Sequence, residues 1–328
     1  MKMLLKTLGL AVSALVVLVV AGVTYLKVAF PKVAAAPELK VELTPARLER
    51  GAYLARNVAD CAGCHSPRIL DRYGLPPDET KAFTGGFEIS KLLSDIPGDI
   101  TTPNLTPVHL GSWSDGEIYR AIAEGVNREG RPMFPMMPFL AIGKLDKEDV
   151  LSIIAYLRSL APAGTEQPAS SLSFPFSLIA RTIPVPAQHV TRPDPANAVA
   201  YGAYLVRAAS CFDCHTPVDA HHEPIAAMEG AGGQEFKIHS GAHQIVVRPP
   251  NITPDKDTGI GAWDKATFLT AIRSRALLTG QSVPFGEPNH IMPYRELAHM
   301  TDQDLGAIYD YLRTLPPVKN KVTRFEKL

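Results

Sequence analysis

The chain is 328 residues long and sets 33 Lys and Arg against 33 Asp and Glu, so its formal net charge is zero. That balance excludes the basic surplus on which nucleic-acid binding relies, and it implies no strongly charged partner. The length leaves room for two ordinary domains with separate cores, and all four cysteines fall into one pattern that occurs twice.

Residues 1–30 open with Lys2 and Lys6 and then run apolar from Leu8 to Leu26, a length that crosses a bilayer. A cleaved signal peptide is the rival reading, because Ala34-Ala35-Ala36 resembles a processing site, but it lies beyond Lys27 and far from the apolar centre. The expectation is a retained single-pass anchor followed by a juxtamembrane linker over 31–44. Lys27 and Lys32 follow the span, so charge alone does not orient it.

A first domain is expected over 45–160. Thr44-Pro45 places a capping side chain before a proline in the first helical turn. The helix it starts delivers Cys61-Ala62-Gly63-Cys64-His65. Ser114 with Glu117 is a capping box for a middle helix. The closing helix is marked by Val150, Ile153, Ile154 and Leu157, which keep the i, i+3, i+4, i+7 spacing of a buried face. Residues 161–196 then form a Pro-rich linker. Either they are a semi-rigid spacer, or Phe174, Phe176, Leu178 and Ile179 pack across both domains and fix their placement.

The second domain, 197–328, repeats the first. Gly51-Ala52-Tyr53-Leu54 recurs as Gly202-Ala203-Tyr204-Leu205, and the cysteine motif as Cys211-Phe212-Asp213-Cys214-His215. Thr84-Gly85-Gly86 is echoed by Ala231-Gly232-Gly233, Pro103-Asn104-Leu105-Thr106-Pro107 by Pro250-Asn251-Ile252-Thr253-Pro254, and Trp113 by Trp263. Met137-Pro138-Phe139 matches Met292-Pro293-Tyr294. Asp194-Pro195 is read as the start of the entry helix, Asp264 as the cap of the middle one, and Thr301 with Asp304 as the cap of a closing helix bearing Leu305, Ile308, Tyr309 and Leu312. Pro- and Gly-rich loops with little strand signal lie between, so each copy should be a small, mainly helical fold wrapped round a flat cofactor.

The repeated pentapeptide supplies that cofactor. Two thiols add across the vinyl groups of a haem, the two intervening residues let both sulfurs reach one porphyrin edge, and the adjacent imidazole swings under the iron. Zinc would want more ligands close by, and a redox dithiol does not require the following His. Cys61, Cys64, Cys211 and Cys214 are therefore expected to hold two covalently attached c-type haems, with His65 and His215 as proximal iron ligands. A six-coordinate haem needs a second ligand, and thioether sulfur raises the reduction potential relative to a second His. Met133, Met136 and Met137 are available in the first copy, but only Met137 shares with Met292 both the following proline and the interval to the closing-helix cap. Met137 and Met292 are thus the expected distal ligands. His109, His239, His243 and His290 are read as loop residues at the surface or behind a ligand, and His221, His222 and His299 as exposed. Trp113, Trp263, Arg131 and Arg248 could reach a haem propionate, but packing and solvation are the plainer readings. Haem of this type is attached outside the cytoplasm, so the bulk of the chain should face the periplasm from a bacterial inner membrane.

On Gly51-Ala52-Tyr53-Leu54, Trp113-Ser114-Asp115-Gly116-Glu117, Met137-Pro138-Phe139, Ala155-Tyr156-Leu157-Arg158 and their second-copy partners, the chain resembles the cytochrome c subunits of membrane-bound bacterial dehydrogenases of the alcohol and gluconate type. The resemblance implies tandem class I cytochrome c domains that take electrons from a dehydrogenase subunit and pass them to a small cytochrome c, a terminal oxidase or quinone. That family usually has three haem domains and no such N-terminal helix. Two functions compete. One is an electron relay with no catalytic residues of its own, and the other a dihaem enzyme, such as a peroxidase or a thiosulfate-oxidising cytochrome, with one open iron. An enzyme should break the symmetry at one distal position, whereas both copies offer Met-Pro-aromatic there.

Overall fold

A computed structural model describes residues 2–240, 243–284 and 287–328. Residues Lys2–Ala29 form one exposed helix that is apolar and long enough to cross a membrane. Beyond it the chain is mainly helical and builds the same three-helix frame twice.

In the first copy the entry helix Pro45–Tyr53 is capped by Thr44, the middle helix Asp115–Glu124 carries the complete Ser114/Glu117 box, and the closing helix Lys147–Ser159 starts at Asp146. Val150, Ile153, Ile154 and Leu157 are all buried. The second copy has Ala198–Ala208, Lys265–Ala276 and Asp302–Leu312 in the same places. Its entry helix begins later than Asp194-Pro195 suggests. Asp194 holds the Ala196 amide in a turn, and Asn197 is the cap, accepting from Ala200. Thr301 caps the closing helix as expected, but the Asp304 carboxylate turns outward to the other domain. Leu305, Ile308 and Leu312 are buried, whereas Tyr309 is half-buried and donates to the Trp263 carbonyl at 2.7 Å.

The repeated Gly-Ala-Tyr-Leu has a packing cause. Entry and closing helices cross at backbone contact, and a Cβ on Gly51 would stand 1.9 Å from the Ser152 carbonyl oxygen, as one on Gly202 would from that of Ala307. Only a residue without a side chain fits there. The repeated Tyr-Leu-Arg is explained too. Arg158 bonds Asp115 at 2.7 Å and the Leu110 carbonyl, and Arg313 the Gly261 carbonyl at 2.8 Å, so each closing helix ties down the loop before its middle helix.

The tyrosines of that motif join the domains reciprocally. The Tyr53 hydroxyl donates to Asp304 at 2.6 Å and accepts the Thr301 amide at 3.3 Å. The Tyr204 hydroxyl donates to Asp149 at 2.6 Å and accepts the Asp146 amide at 3.0 Å. Each tyrosine thus binds the first turn of the other domain's closing helix, an approximate two-fold arrangement.

A second contact breaks this symmetry. The loop after the first cysteine motif lies along the segment preceding Met292: Tyr73 donates to the Gln281 carbonyl, Val283 to that of Asp71, and Gly74 to the Asn289 side chain. Leu75 and Leu92 from the first domain close a small core with Ile238, Ile245 and Val247 from the second. Those last three sit on strands the sequence reading did not anticipate. Phe236–Ser240 pairs antiparallel with His243–Val247 in the register Ile238 to Ile245, and Phe325–Lys327 adds a third strand.

The linker does not bridge the domains with its aromatic residues. Phe174 is 76% exposed, and Phe176 and Ile179 are about half exposed. The segment is also less extended than its prolines suggest, with a helical turn Phe176–Ile179 that packs beside the end of the N-terminal helix.

Candidate functional site

Each cysteine motif occupies a short helical turn, Cys61–Cys64 and Cys211–His215, entered through a left-handed residue. At Asp60 (φ 47°) and Ser210 (φ 50°) the backbone takes a conformation that short polar residues tolerate. The Asp60 carboxylate also accepts the Gly63 amide at 2.9 Å.

The first turn opens on a cavity of about 640 Å³ whose lining includes Cys61, Cys64, His65, Met137 and Trp113. It therefore brings together the four residues that the sequence selects in this copy. Met133 and Met136 line it as well. Its size and apolar walls suit a planar organic cofactor. In the second copy His215 is buried, Cys211, Cys214 and Met292 are half-buried, and Cys211 and Met292 pack on the common core. The distal loops match in detail. Phe139 donates its amide to the Met137 carbonyl at 2.8 Å, and Tyr294 to that of Met292 at 2.9 Å.

Both imidazoles are oriented alike. His65 Nδ1 bonds the Pro103 carbonyl at 2.9 Å, and His215 Nδ1 the Pro250 carbonyl at 2.7 Å. A carbonyl can only accept, so the proton sits on Nδ1 and the Nε2 lone pair is left for a metal. Burial lowers the pKa of both rings, against the opposing pull of those carbonyls, and takes His215 to about 4. They are neutral, as ligands must be.

The sequence had singled out the Pro-Asn-x-Thr-Pro repeat without a role. Its proline carbonyl fixes the histidine, and its asparagine fixes the loop: Asn104 bonds the Ala163 carbonyl and the Thr106 amide, and Asn251 the Val318 carbonyl and the Thr253 amide. Gly85 and Gly232 (φ 70° and 72°) press against the same prolines and donate to the His65 and His215 carbonyls.

Burial pushes the Cys61, Cys211 and Cys214 thiols up to about 12 and raises Cys64. These are not the low-pKa thiolates of a reactive redox pair. For Cys214 the causes are burial, then Asp213, then the nearby Cys64 of the other motif. Asp60, likewise, is raised to about 7 by burial and then by Glu296 across the interface. The two attachment turns therefore lie close to one another.

The other polar candidates have partners of their own, and Arg131, Glu129, His109 and Glu166 line the first cavity as paired groups. Arg248 pairs with Glu235 and Glu326, Arg131 with Glu129, and His109 with Glu166. His239 lies on a strand rather than in a loop, and so does the backbone of His243, whose side chain falls outside the described residues. His290 is buried between the Tyr73 and Tyr294 rings, at centroid distances of 4.4 and 4.9 Å, with neither nitrogen hydrogen-bonded among the described residues. His189, unremarked in the sequence, links the Tyr119 hydroxyl to the Leu145 carbonyl.

Comparison with known proteins gives the same division. The family described as Cytochrome c matches residues 48–161 and again 199–316. The chain is 28% identical over 282 residues to the alcohol dehydrogenase (quinone), cytochrome c subunit of Gluconacetobacter polyoxogenes, covering 83% of this chain and 57% of that protein. It is 31% identical over 283 residues to the fructose dehydrogenase cytochrome subunit of Gluconobacter japonicus, covering 82% and 52%. It is 26% identical over 268 residues to the diheme cytochrome c-type protein of Cereibacter sphaeroides, covering 79% and 83%. The chain thus spans little more than half the length of the first two relatives.

Proposed function

The chain belongs to the cytochrome c family, with two copies of the domain, and on that premise we propose that it is a membrane-anchored dihaem relay. It takes electrons from a dehydrogenase subunit and hands them to a respiratory acceptor on the periplasmic side of a bacterial inner membrane. Two covalently attached c-type haems are its cofactors. Each supplies an iron that cycles between ferric and ferrous states. Cys61 and Cys64 would hold one haem and Cys211 and Cys214 the other; His65 with Met137, and His215 with Met292, would supply the iron ligands.

The protein's own part is to hold and tune. The Pro103 and Pro250 carbonyls keep each imidazole in one tautomer and one orientation, so little rearranges when the iron changes charge. Thioether ligation raises both potentials. Apolar walls exclude water from the iron. The reciprocal tyrosine contacts set the two domains, and with them the two attachment turns, at a fixed separation.

The observation that carries this reading over a dihaem enzyme is the equivalence of the two sites. Motif, histidine acceptor, asparagine clamp and Met-Pro-aromatic loop recur in both copies, and neither copy is altered at the distal position. Two of the relatives are by name cytochrome subunits of dehydrogenases, which supports a dehydrogenase as the donor here. The acceptor is a small cytochrome c, a terminal oxidase or quinone. Optical spectra of the full chain in detergent test the proposal: two low-spin haems, with the charge-transfer band of thioether ligation when oxidised, agree with it. A high-spin haem in one site would instead favour an enzyme.

A further inference from the structure

Three of the exposed apolar side chains in the Pro-rich segment between the domains lie close together in sequence. Phe174 is 76% exposed, Phe176 45% and Ile179 51%. They are not scattered. They flank the helical turn Phe176–Ile179, which packs beside the last turn of the N-terminal helix. Arg181, just after that turn, fixes the position. Its guanidinium donates to the Leu26 carbonyl at 3.2 Å, to the Lys27 carbonyl at 2.9 Å and to the Phe30 carbonyl. These are carbonyls that a helix end leaves without partners of its own.

The end of that helix has the make-up of a membrane boundary. Tyr25 packs edge-on to Phe30 with ring centroids 6.1 Å apart, Lys32 lies over the Phe30 ring at 5.0 Å, and Lys27 is in the last turn. Aromatic rings and basic side chains concentrate at the level of lipid headgroups. Because Arg181 ties the linker to this level, Phe174, Phe176 and Ile179 stand there too.

The geometry points to a second membrane contact: residues 174–179 lie in the bilayer interface, with Phe174, Phe176 and Ile179 dipping to the boundary between headgroups and acyl chains. The occupant of this apolar surface is lipid, because the surface continues the exposed apolar face of the spanning helix. The contact also orients the molecule. Ser177 and Arg181 line the cavity of the first domain, so that cavity faces the bilayer. The first domain is then the membrane-side end of the relay. This inference rests on the reading of Lys2–Ala29 as a membrane anchor, and the test separates the two.

The full chain, carrying both haems, is made with the photoreactive residue p-benzoylphenylalanine in place of Phe174, of Val17 in the middle of the anchor, or of Leu277. Leu277 is 82% exposed on the second domain. Each protein is reconstituted in vesicles of phosphatidylcholine and phosphatidylglycerol and irradiated, and its adducts are identified by mass. All three sites are exposed, so the haem spectra should match those of the parent. Lipid adducts at positions 174 and 17 but not at 277 are expected. Adducts at 17 without any at 174 overturn the interfacial contact and leave the anchor standing. Adducts at neither position overturn both. An adduct between position 174 and a second copy of the chain assigns the surface to self-association and overturns the lipid reading. A Phe174→Ser, Phe176→Ser variant should lose the slowed amide exchange of residues 174–181 that vesicles confer on the parent.

Discussion

Tyr53→Phe and Tyr204→Phe delete the same hydroxyl from mirrored places, yet the structure gives them unequal consequences. Tyr204 donates to Asp149, whose buried carboxylate also receives Arg50 at 2.7 and 2.9 Å and Arg192 at 2.8 Å. After Tyr204→Phe that carboxylate keeps two guanidinium partners, and the loss sits at the low end for a bond to a charged group, about 1.5 kcal/mol. Asp304 is also buried, but among the described residues the Tyr53 hydroxyl is the one donor to its side chain. Tyr53→Phe leaves a buried carboxylate without a partner, and a bond to a charged group is worth about 1.5–3 kcal/mol, so a loss near the top of that range is expected. Urea unfolding of each holoprotein in detergent, with the slope checked for constancy, gives the two free energies. The reasoning is refuted if Tyr204→Phe costs as much as Tyr53→Phe, or if both fall within about 0.5 kcal/mol of the parent, the range of neutral surface changes.

Further outcomes follow from the same geometry. Gly51→Ala and Gly202→Ala each drive a methyl into a facing carbonyl; overpacking costs about 1–3 kcal/mol or more, and thermal unfolding should show both far less stable than Gly306→Ala, where the nearest atom is in the flexible Lys265 side chain at 3.4 Å. Met292→Ala should open the second iron and lower its reduction potential while leaving the first unchanged, and Met137→Ala should do the converse; redox titration checks this, and a variant with an unaltered spectrum and potential removes that methionine from the assignment. Burial alone would raise Asp149, but Arg50, Tyr204 and Arg192 together hold it below the ordinary carboxylate value of about 3.9. The unfolded chain therefore takes up this proton first as the solution is acidified. The stabilisation is complete above that value and fades as pH falls through the lower folded value, so the stability gap between parent and Asp149→Asn should narrow on acidification.

The sequence displayed the cofactor motif, the duplication and most helix caps, because each rests on local chemistry: thiols beside an imidazole, a hydroxyl before a first turn, apolar residues at helical spacing. It also showed which glycines, asparagines and tyrosines recur. It could not show why, because their partners are remote. Tyr53 meets Asp304 across the domain boundary, and His65 finds its acceptor in the Pro103 carbonyl. The strand Phe236–Ser240 escaped notice because it is short and stands in a loop-rich stretch, although Phe236 and Ile238 alternate with polar neighbours. Asp194-Pro195 misled for a related reason: a proline after a capping residue marks a turn as readily as a helix, and Asn197 offered the better-placed side chain. Phe174 and Phe176 suggested domain packing, since apolar residues usually find a core. Phe174 is exposed instead, and the turn that begins at Phe176 neighbours the end of the N-terminal helix.

Haem counting tests the central claim most directly. Purified full-length chain, denatured so that only covalently held cofactor remains, should carry two haems per polypeptide. Cys61→Ala/Cys64→Ala and Cys211→Ala/Cys214→Ala should each retain one. A parent with fewer than two covalent haems, or a double variant that keeps both, would contradict the account.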